Sequence, residues 1–164
     1  MIKKKDNPIL GTVIHATLRN SDLLEAFKDA LVDLNCNRED CPDKRAKNAV
    51  IQDAIDTLQQ YSEDELNYPK DAELAEQISI LINEDLMNAL NDFAPPYCYF
   101  GAHPGDGSDF GFWRYEDVPY ESDEDLVTVK DSLPEYILVI NDHGNETLYS
   151  IDDNGQLWEE WICV

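Results

Sequence analysis

Within the stretch Leu86-Met-Asn-Ala-Leu90-Asn-Asp-Phe93-Ala-Pro95-Pro96-Tyr97-Cys-Tyr-Phe100-Gly-Ala102 the hydrophobic period of the chain changes. Before the prolines, Leu74, Ile78, Leu81, Ile82, Leu86, Leu90 and Phe93 recur at the spacing of one helix face. Beyond them the residues are aromatic and β-branched, and the period falls to about two. The residue before a proline is disfavoured in the helical region, so the helix that begins at Asp71 stops at Ala94-Pro95-Pro96.

Working back from this boundary, two more amphipathic helices are expected. Asn20 and Ser21 are both cap-type residues, and Leu23, Leu24, Phe27, Leu31 and Leu34 follow on one face. Pro42 suits a first helical turn, and Ala46, Val50, Ile51, Ala54, Ile55 and Leu58 form a second stripe ending near Tyr61. Ser62 and Glu65 have the spacing of a capping box for a short turn before Pro69.

Working forward, strands are expected at 97–102, 110–115, 136–141, 146–151 and 156–163, with a weaker one at 126–130 and one more within 11–18. His143-Gly144-Asn145 and Asp153-Asn154-Gly155 suit hairpin turns, because Gly and Asn tolerate positive φ. The expected architecture is α+β: N-terminal helices, about 20–93, packed on a C-terminal antiparallel meander, about 97–164, in one domain spanning 1–164. Trp158 and Trp161 have opposite parity on a regular strand, so one faces away from the core unless a bulge intervenes.

Charge is the dominant compositional feature. Thirty-five Asp and Glu stand against twelve Lys and Arg, a formal charge of −23. From Gly101 onward sixteen acids face only Arg114 and Lys130, while Lys3, Lys4, Lys5 and Arg19 make the first twenty residues net positive. Such a field repels nucleic acid and anionic membranes and attracts basic proteins or cations. A hydrophobic fraction of 43% and three Trp exclude a disordered acidic tail.

Four cysteines, at 36, 41, 98 and 163, come with no secretory segment: Gly11, His15 and two Thr dilute the apolar run behind the lysines. A reduced, cytoplasmic chain is the expectation. No apolar run is long enough for a bilayer.

Three constellations bear on chemistry. The glycines of residues 101–113 lack a Gly-Lys-Ser/Thr ending, and Asp106 and Asp109 repel phosphate, so that segment reads as a loop between aromatic strands. His103, Asp106, Asp109, Asp142 and His143 offer imidazole and carboxylate ligands, and a metal-dependent hydrolase is the alternative if they converge. Cys36 and Cys41 lack a second ligand pair, and a negative field raises the pKa of a nucleophilic thiol. No cofactor motif is present, so none is expected, and a non-enzymatic role is favoured.

Surface arithmetic sets the remaining expectation. A monomer of this mass exposes about 8,000 Å², so its carboxylates average one per roughly 240 Å². Duplex DNA carries one charge per roughly 110 Å² of its surface. Spread evenly the acids fall short of DNA; concentrated on one face they match it. That face is expected at Glu116, Asp117, Glu121, Asp123, Glu124 and Asp125 together with Asp152, Asp153, Glu159 and Glu160. The partner it fits is a protein with a basic surface, such as a nuclease or another nucleic-acid-binding protein. The plainer reading is a solvated acidic surface.

Three strings carry a resemblance: Thr17-Leu-Arg-Asn-Ser-Asp-Leu-Leu-Glu-Ala-Phe27, the block from Phe93 to Trp113, and Asn141-Asp-His-Gly-Asn-Glu-Thr-Leu-Tyr149. Together they resemble a family of small acidic proteins encoded by phages and prophages, over most of the chain. The resemblance implies a phage setting in a host cytoplasm, where small acidic proteins often resemble anti-restriction or anti-CRISPR inhibitors. It carries no residue roles, and a phage structural or regulatory protein-binding module is the further alternative.

Overall fold

The computed structural model describes residues 2–37, 43–116, 121–122 and 136–163, with the side chains of 37, 121 and 122 excepted. The chain is an α+β protein. In order it forms β1 (Lys3–Lys4), β2 (Gly11–Ile14), α1 (Asn20–Asn37), α2 (Lys44–Gln60), α3 (Glu63–Asn67) and α4 (Ala72–Ile80). A π-helical segment (Leu81–Leu86) and α5 (Met87–Asn91) continue α4, and β3 (Cys98–His103), β4 (Asp106–Arg114), β5 (Glu121–Ser122), β6 (Tyr136–Ile140), β7 (Glu146–Ile151) and β8 (Leu157–Cys163) follow. Among the described residues no helix is long and apolar enough to cross a membrane.

The strands form a five-stranded sheet ordered β1-β8-β7-β6-β5 and a three-stranded sheet ordered β2-β4-β3. β6, β7 and β8 are the expected antiparallel meander, with Gly144 at φ 81° and Gly155 at φ 70° in its two turns. At its edges, however, β1 joins β8 and β5 joins β6 in parallel. The chain groups into two compact units: residues 1–11, 94–99 and 112–164, and residues 12–93 and 100–111.

In the helical unit the first turn departs from the capping expectation. Asn20 and Ser21 lie inside α1, and their side chains tie α3 to it: Asn20 Nδ2 donates to the Leu66 carbonyl at 2.8 Å, and Asn67 Nδ2 donates to Ser21 Oγ at 2.9 Å. The capping box forms as the spacing predicts, with the Ser62 N–H donating to Glu65 Oε2 at 2.9 Å. Asp71 caps α4. Leu24, Phe27, Leu31, Ile78, Ile82, Leu86, Leu90 and Phe93 are buried, as the two stripes require. Phe27 meets Phe100 and Phe110 edge to face, at ring distances of 5.1 and 5.5 Å. Segment 101–113, expected as an irregular loop, is mostly hairpin, with only Pro104 and Gly105 between β3 and β4. The strand expected at 126–130 lies outside the described residues.

In the sheet unit, Leu138, Leu148, Trp161 and Cys98 form the core. The β7 register passes from Leu148↔Trp161 to Tyr149↔Glu159, so Glu160 is an extra residue bulged out of β8. The parity conflict is thereby removed: Trp158 pairs with Ser150 and Trp161 with Leu148, two residues of β7 that share a face.

Phe27 has no exposed surface and touches two aromatic rings, so Phe27→Ala combines lost transfer energy with a cavity. The expected loss is about 3–5 kcal/mol, read as a lower urea midpoint at unchanged slope. A loss below about 1 kcal/mol would show that this site collapses freely and is not the keystone of the helical core.

Candidate functional site

The acids expected to form one binding face do not behave alike. Asp117, Asp123, Glu124 and Asp125 lie outside the described residues, and Glu121 is described only as backbone of β5. Glu116 and Asp153 are exposed. Glu160 is a correction. Its side chain is 1% exposed, and it accepts from Ser150 Oγ and from Asn7 Nδ2, with the Lys5 ammonium 2.6 Å away. A buried carboxylate needs a cation and hydrogen bonds, and the bulge turns this one toward the N-terminal segment that supplies them.

Glu159 and Asp152 are also built into the fold. Lys4 Nζ stands 2.8 Å from Glu159 Oε1, which keeps only 16% of its side chain exposed. The hydrogen bond and charge of Glu159 hold the Lys4 ammonium above its usual pKa. Lys3 lies over the Trp158 ring at 4.9 Å, and the Lys5 N–H donates to the Glu159 carbonyl at 3.0 Å. The three lysines thus zip β1 onto β8. Asp152 organises the β7–β8 turn: Oδ1 accepts from the N–H groups of Gln156 and Asn154, and Oδ2 accepts from the Trp158 indole at 3.2 Å. The Gln156 and Trp158 bonds hold its carboxyl below the usual carboxylate range. Arg114 takes Glu146 in the same unit, Nε to Oε2 at 2.6 Å.

The residues of the metal alternative, His103, Asp106, Asp109, Asp142 and His143, are all described. Among the described residues no three His, Cys, Asp or Glu side chains come together as a metal-holding group. His103 Nδ1 accepts from the Gly105 N–H at 3.0 Å, and Asp106 Oδ1 accepts from the Ser108 N–H at 2.9 Å and its hydroxyl at 2.8 Å. Asp109 Oδ2 accepts from Thr12 at 3.2 Å. His143 sits in the β6–β7 turn, where Asn141 Oδ1 accepts its N–H at 2.9 Å. His103 and Asp106 thus bond locally around the β3–β4 turn, whereas Asp109 ties β4 to β2 through Thr12. The Ser108 bonds, followed by the charges of His103 and His15, hold the Asp106 carboxyl low.

Cys98 does not suit nucleophilic chemistry either. Burial, aided by the nearby Cys163, pushes its thiol up to about 12, far from a thiolate at neutral pH. Cys36 and Cys163 are exposed, and Cys41 lies outside the described residues.

What the sequence reading missed is on the helices. Lys47 on α2 is buried against Asp92, Nζ to Oδ2 at 2.7 Å, and lies over the Phe93 ring at 5.3 Å. Arg19 pairs with Glu63, and Lys28 with its neighbour Asp29. Glu25, Asp33, Asp53, Asp56, Asp64, Glu73, Glu76, Glu84 and Asp85 are exposed, and none of them forms an ion pair among the described residues. The signal was present: Asp53 and Asp56 fall on the polar side of the α2 stripe, and Glu84-Asp85 follows the strongest apolar pattern. The higher net charge per residue of the C-terminal half masks that signal. Comparison with protein-family models, with curated proteins and with solved structures found no match for this chain.

Two predictions follow from this geometry. Since folding lowers the Asp152 pKa, its bonds stabilise the fold above the ordinary carboxylate pKa and are lost as pH falls through the lowered folded value. The gap in urea midpoint between wild type and Asp152→Ala is therefore full at neutral pH and closes in strong acid; a gap independent of pH would refute the assignment. In the native protein a thiol-alkylating reagent should label Cys36 and Cys163 quickly and Cys98 only after unfolding, as read by peptide mass spectrometry.

Proposed function

We propose that this chain is a non-enzymatic acidic inhibitor that binds the basic, nucleic-acid-binding surface of another protein, in the manner of a DNA mimic. The observation that carries this reading is the partition of its charge. Near β8 the acids are matched by Lys4 and Lys5, whereas on the helices Asp53, Asp56, Glu76, Glu84 and Asp85 stay exposed without an ion pair among the described residues. Unmatched carboxylates on rigid helices repel one another. A partner's Lys or Arg relieves that repulsion on binding, and the complementary fields speed association.

The binding face therefore moves from the expected C-terminal acids Asp152, Glu159 and Glu160 to the helical surface. Asp153 and Glu116 are exposed on the sheet unit and are not counted in that face. The resemblance to phage-encoded acidic proteins makes a host defence nuclease the target class, with the host cytoplasm as the setting. On this reading the protein does not bind nucleic acid directly, because both carry the same sign of charge.

The test is capture from a bacterial lysate at low and high salt. A nuclease or other DNA-binding protein should be retained at low salt and released by salt or by competing duplex DNA, since exposed charge pairs are screened beyond about 10 Å at 0.1 M salt. Substituting His103 or His143 should leave capture unchanged. Retention of nothing basic would mean that the acids only solubilise the chain, and the proposal would fall.

A further inference from the structure

Asp53, Asp56, Thr57 and Gln60 occupy positions i, i+3, i+4 and i+7 of α2, a single stripe of the helix. Leu74, Gln77, Ile78, Leu81 and Asp85 form a facing stripe that runs from α4 into the π-helical segment. The two stripes line a groove of about 380 Å³. Its floor is apolar, with Ile78 and Leu81 buried, and Ile80 at its lip is 40% exposed. Asp53, Asp56 and Asp85 are exposed along it, no Lys or Arg lines it, and none of the three forms an ion pair among the described residues.

The groove between α1, α2 and α3 is a useful contrast. Lys28 lines it, Asp22 accepts from the Thr17 hydroxyl at 2.7 Å, and Glu63 is paired with Arg19. Glu25 also lines it without an ion pair among the described residues, so the contrast lies in the basic lining that Lys28 supplies. In the α2–α4 groove Asp56 accepts from Gln52 Nε2 at 2.8 Å, no carboxylate is paired with a cation among the described residues, and the apolar surface left open is that of Leu74 and Ile80.

We propose that the α2–α4 groove seats an amphipathic basic helix of the partner protein, its apolar residues on Leu74 and Ile80 and its Lys or Arg side chains against Asp53, Asp56 and Asp85. This rests on the reading that the chain binds a basic partner, and it names the segment bound. An apolar floor alone would accept any hydrophobic helix, and carboxylates alone any cation; the combination selects a helix carrying both. From Leu74 to Asp85 the stripe rises about 16 Å, or some three turns, which is enough for anchors at i, i+4 and i+7. A second copy of this chain is a poor occupant, since it brings another −23 charges.

The test uses the full chain and a synthetic peptide of Leu, Lys and Ala patterned as an amphipathic helix, with a scrambled peptide of the same composition. Binding is read by fluorescence anisotropy at low salt and located by backbone amide shifts. The triple variant Asp53→Asn, Asp56→Asn, Asp85→Asn should weaken the patterned peptide by roughly tenfold. Ile80→Asn should weaken it severalfold. The control triple Asp33→Asn, Glu73→Gln, Asp153→Asn removes the same charge outside the groove and should cost less than about twofold. All these residues are exposed, so unchanged thermal midpoints verify folding.

Equal weakening by the two triples, equal affinity for the scrambled peptide, or amide shifts away from α2 and residues 72–86 would overturn the groove while leaving acidic capture intact. Peptide binding in the groove, with no basic protein captured from lysate, would instead count against the proposed function.

Discussion

Thirty-five carboxylates and only twelve cations share one chain, and among the described residues Lys4, Lys5, Arg19, Lys28, Lys47 and Arg114 are each held against an acid. Three of the twelve, Lys3, Lys4 and Lys5, lie on consecutive residues and meet consecutive positions of β8. The contact is parallel strand pairing reinforced by a cation over Trp158, an ion pair at Glu159 and a buried ion pair at Glu160. Surface ion pairs contribute little alone, about 0–1 kcal/mol each. Glu160 differs because its carboxylate is inaccessible: without Lys5, Ser150 and Asn7 it would be an uncompensated buried charge.

The same logic explains the β8 bulge. Without the extra residue, Trp158 and Trp161 would fall on opposite faces. With it, both take the parity of Leu148 and Ser150, and the Trp161 indole donates to the Pro96 carbonyl at 2.8 Å. The bulge thus lets one short strand supply two aromatic residues to one face while holding a carboxylate for the N-terminal lysines. In the helical unit Lys47 has a comparable role, with its stem buried among apolar side chains and its ammonium held at Asp92. Among the described residues these placements leave Glu25, Asp33, Asp53, Asp56 and Glu76 of α1, α2 and α4 exposed without an ion pair, and the proposed function rests there and not on the sheet.

Two residues of the metal alternative share one physical feature. His103 and Asp106 flank the β3–β4 turn, and, like Asp152 at the β7–β8 turn, each accepts from a backbone N–H within four residues. Composition shows that such residues are present near glycine. It does not show that their lone pairs are already occupied.

By itself the sequence determined the helix stripes, the capping box at Ser62, the two hairpin turns and the meander of β6 to β8, because each depends on residues within a few positions of one another. It also determined the excess of acid. Only tertiary structure decided that Lys3–Lys4 is a strand, that Glu160 is buried, and that Asp53, Asp56 and Asp85 border one groove. Those facts join residues up to about 150 positions apart. A two-residue run of lysine carries no period of its own, and a bulge or π-turn leaves no compositional mark. Charge is a local property of the chain, but its compensation depends on what folding brings within a few ångströms.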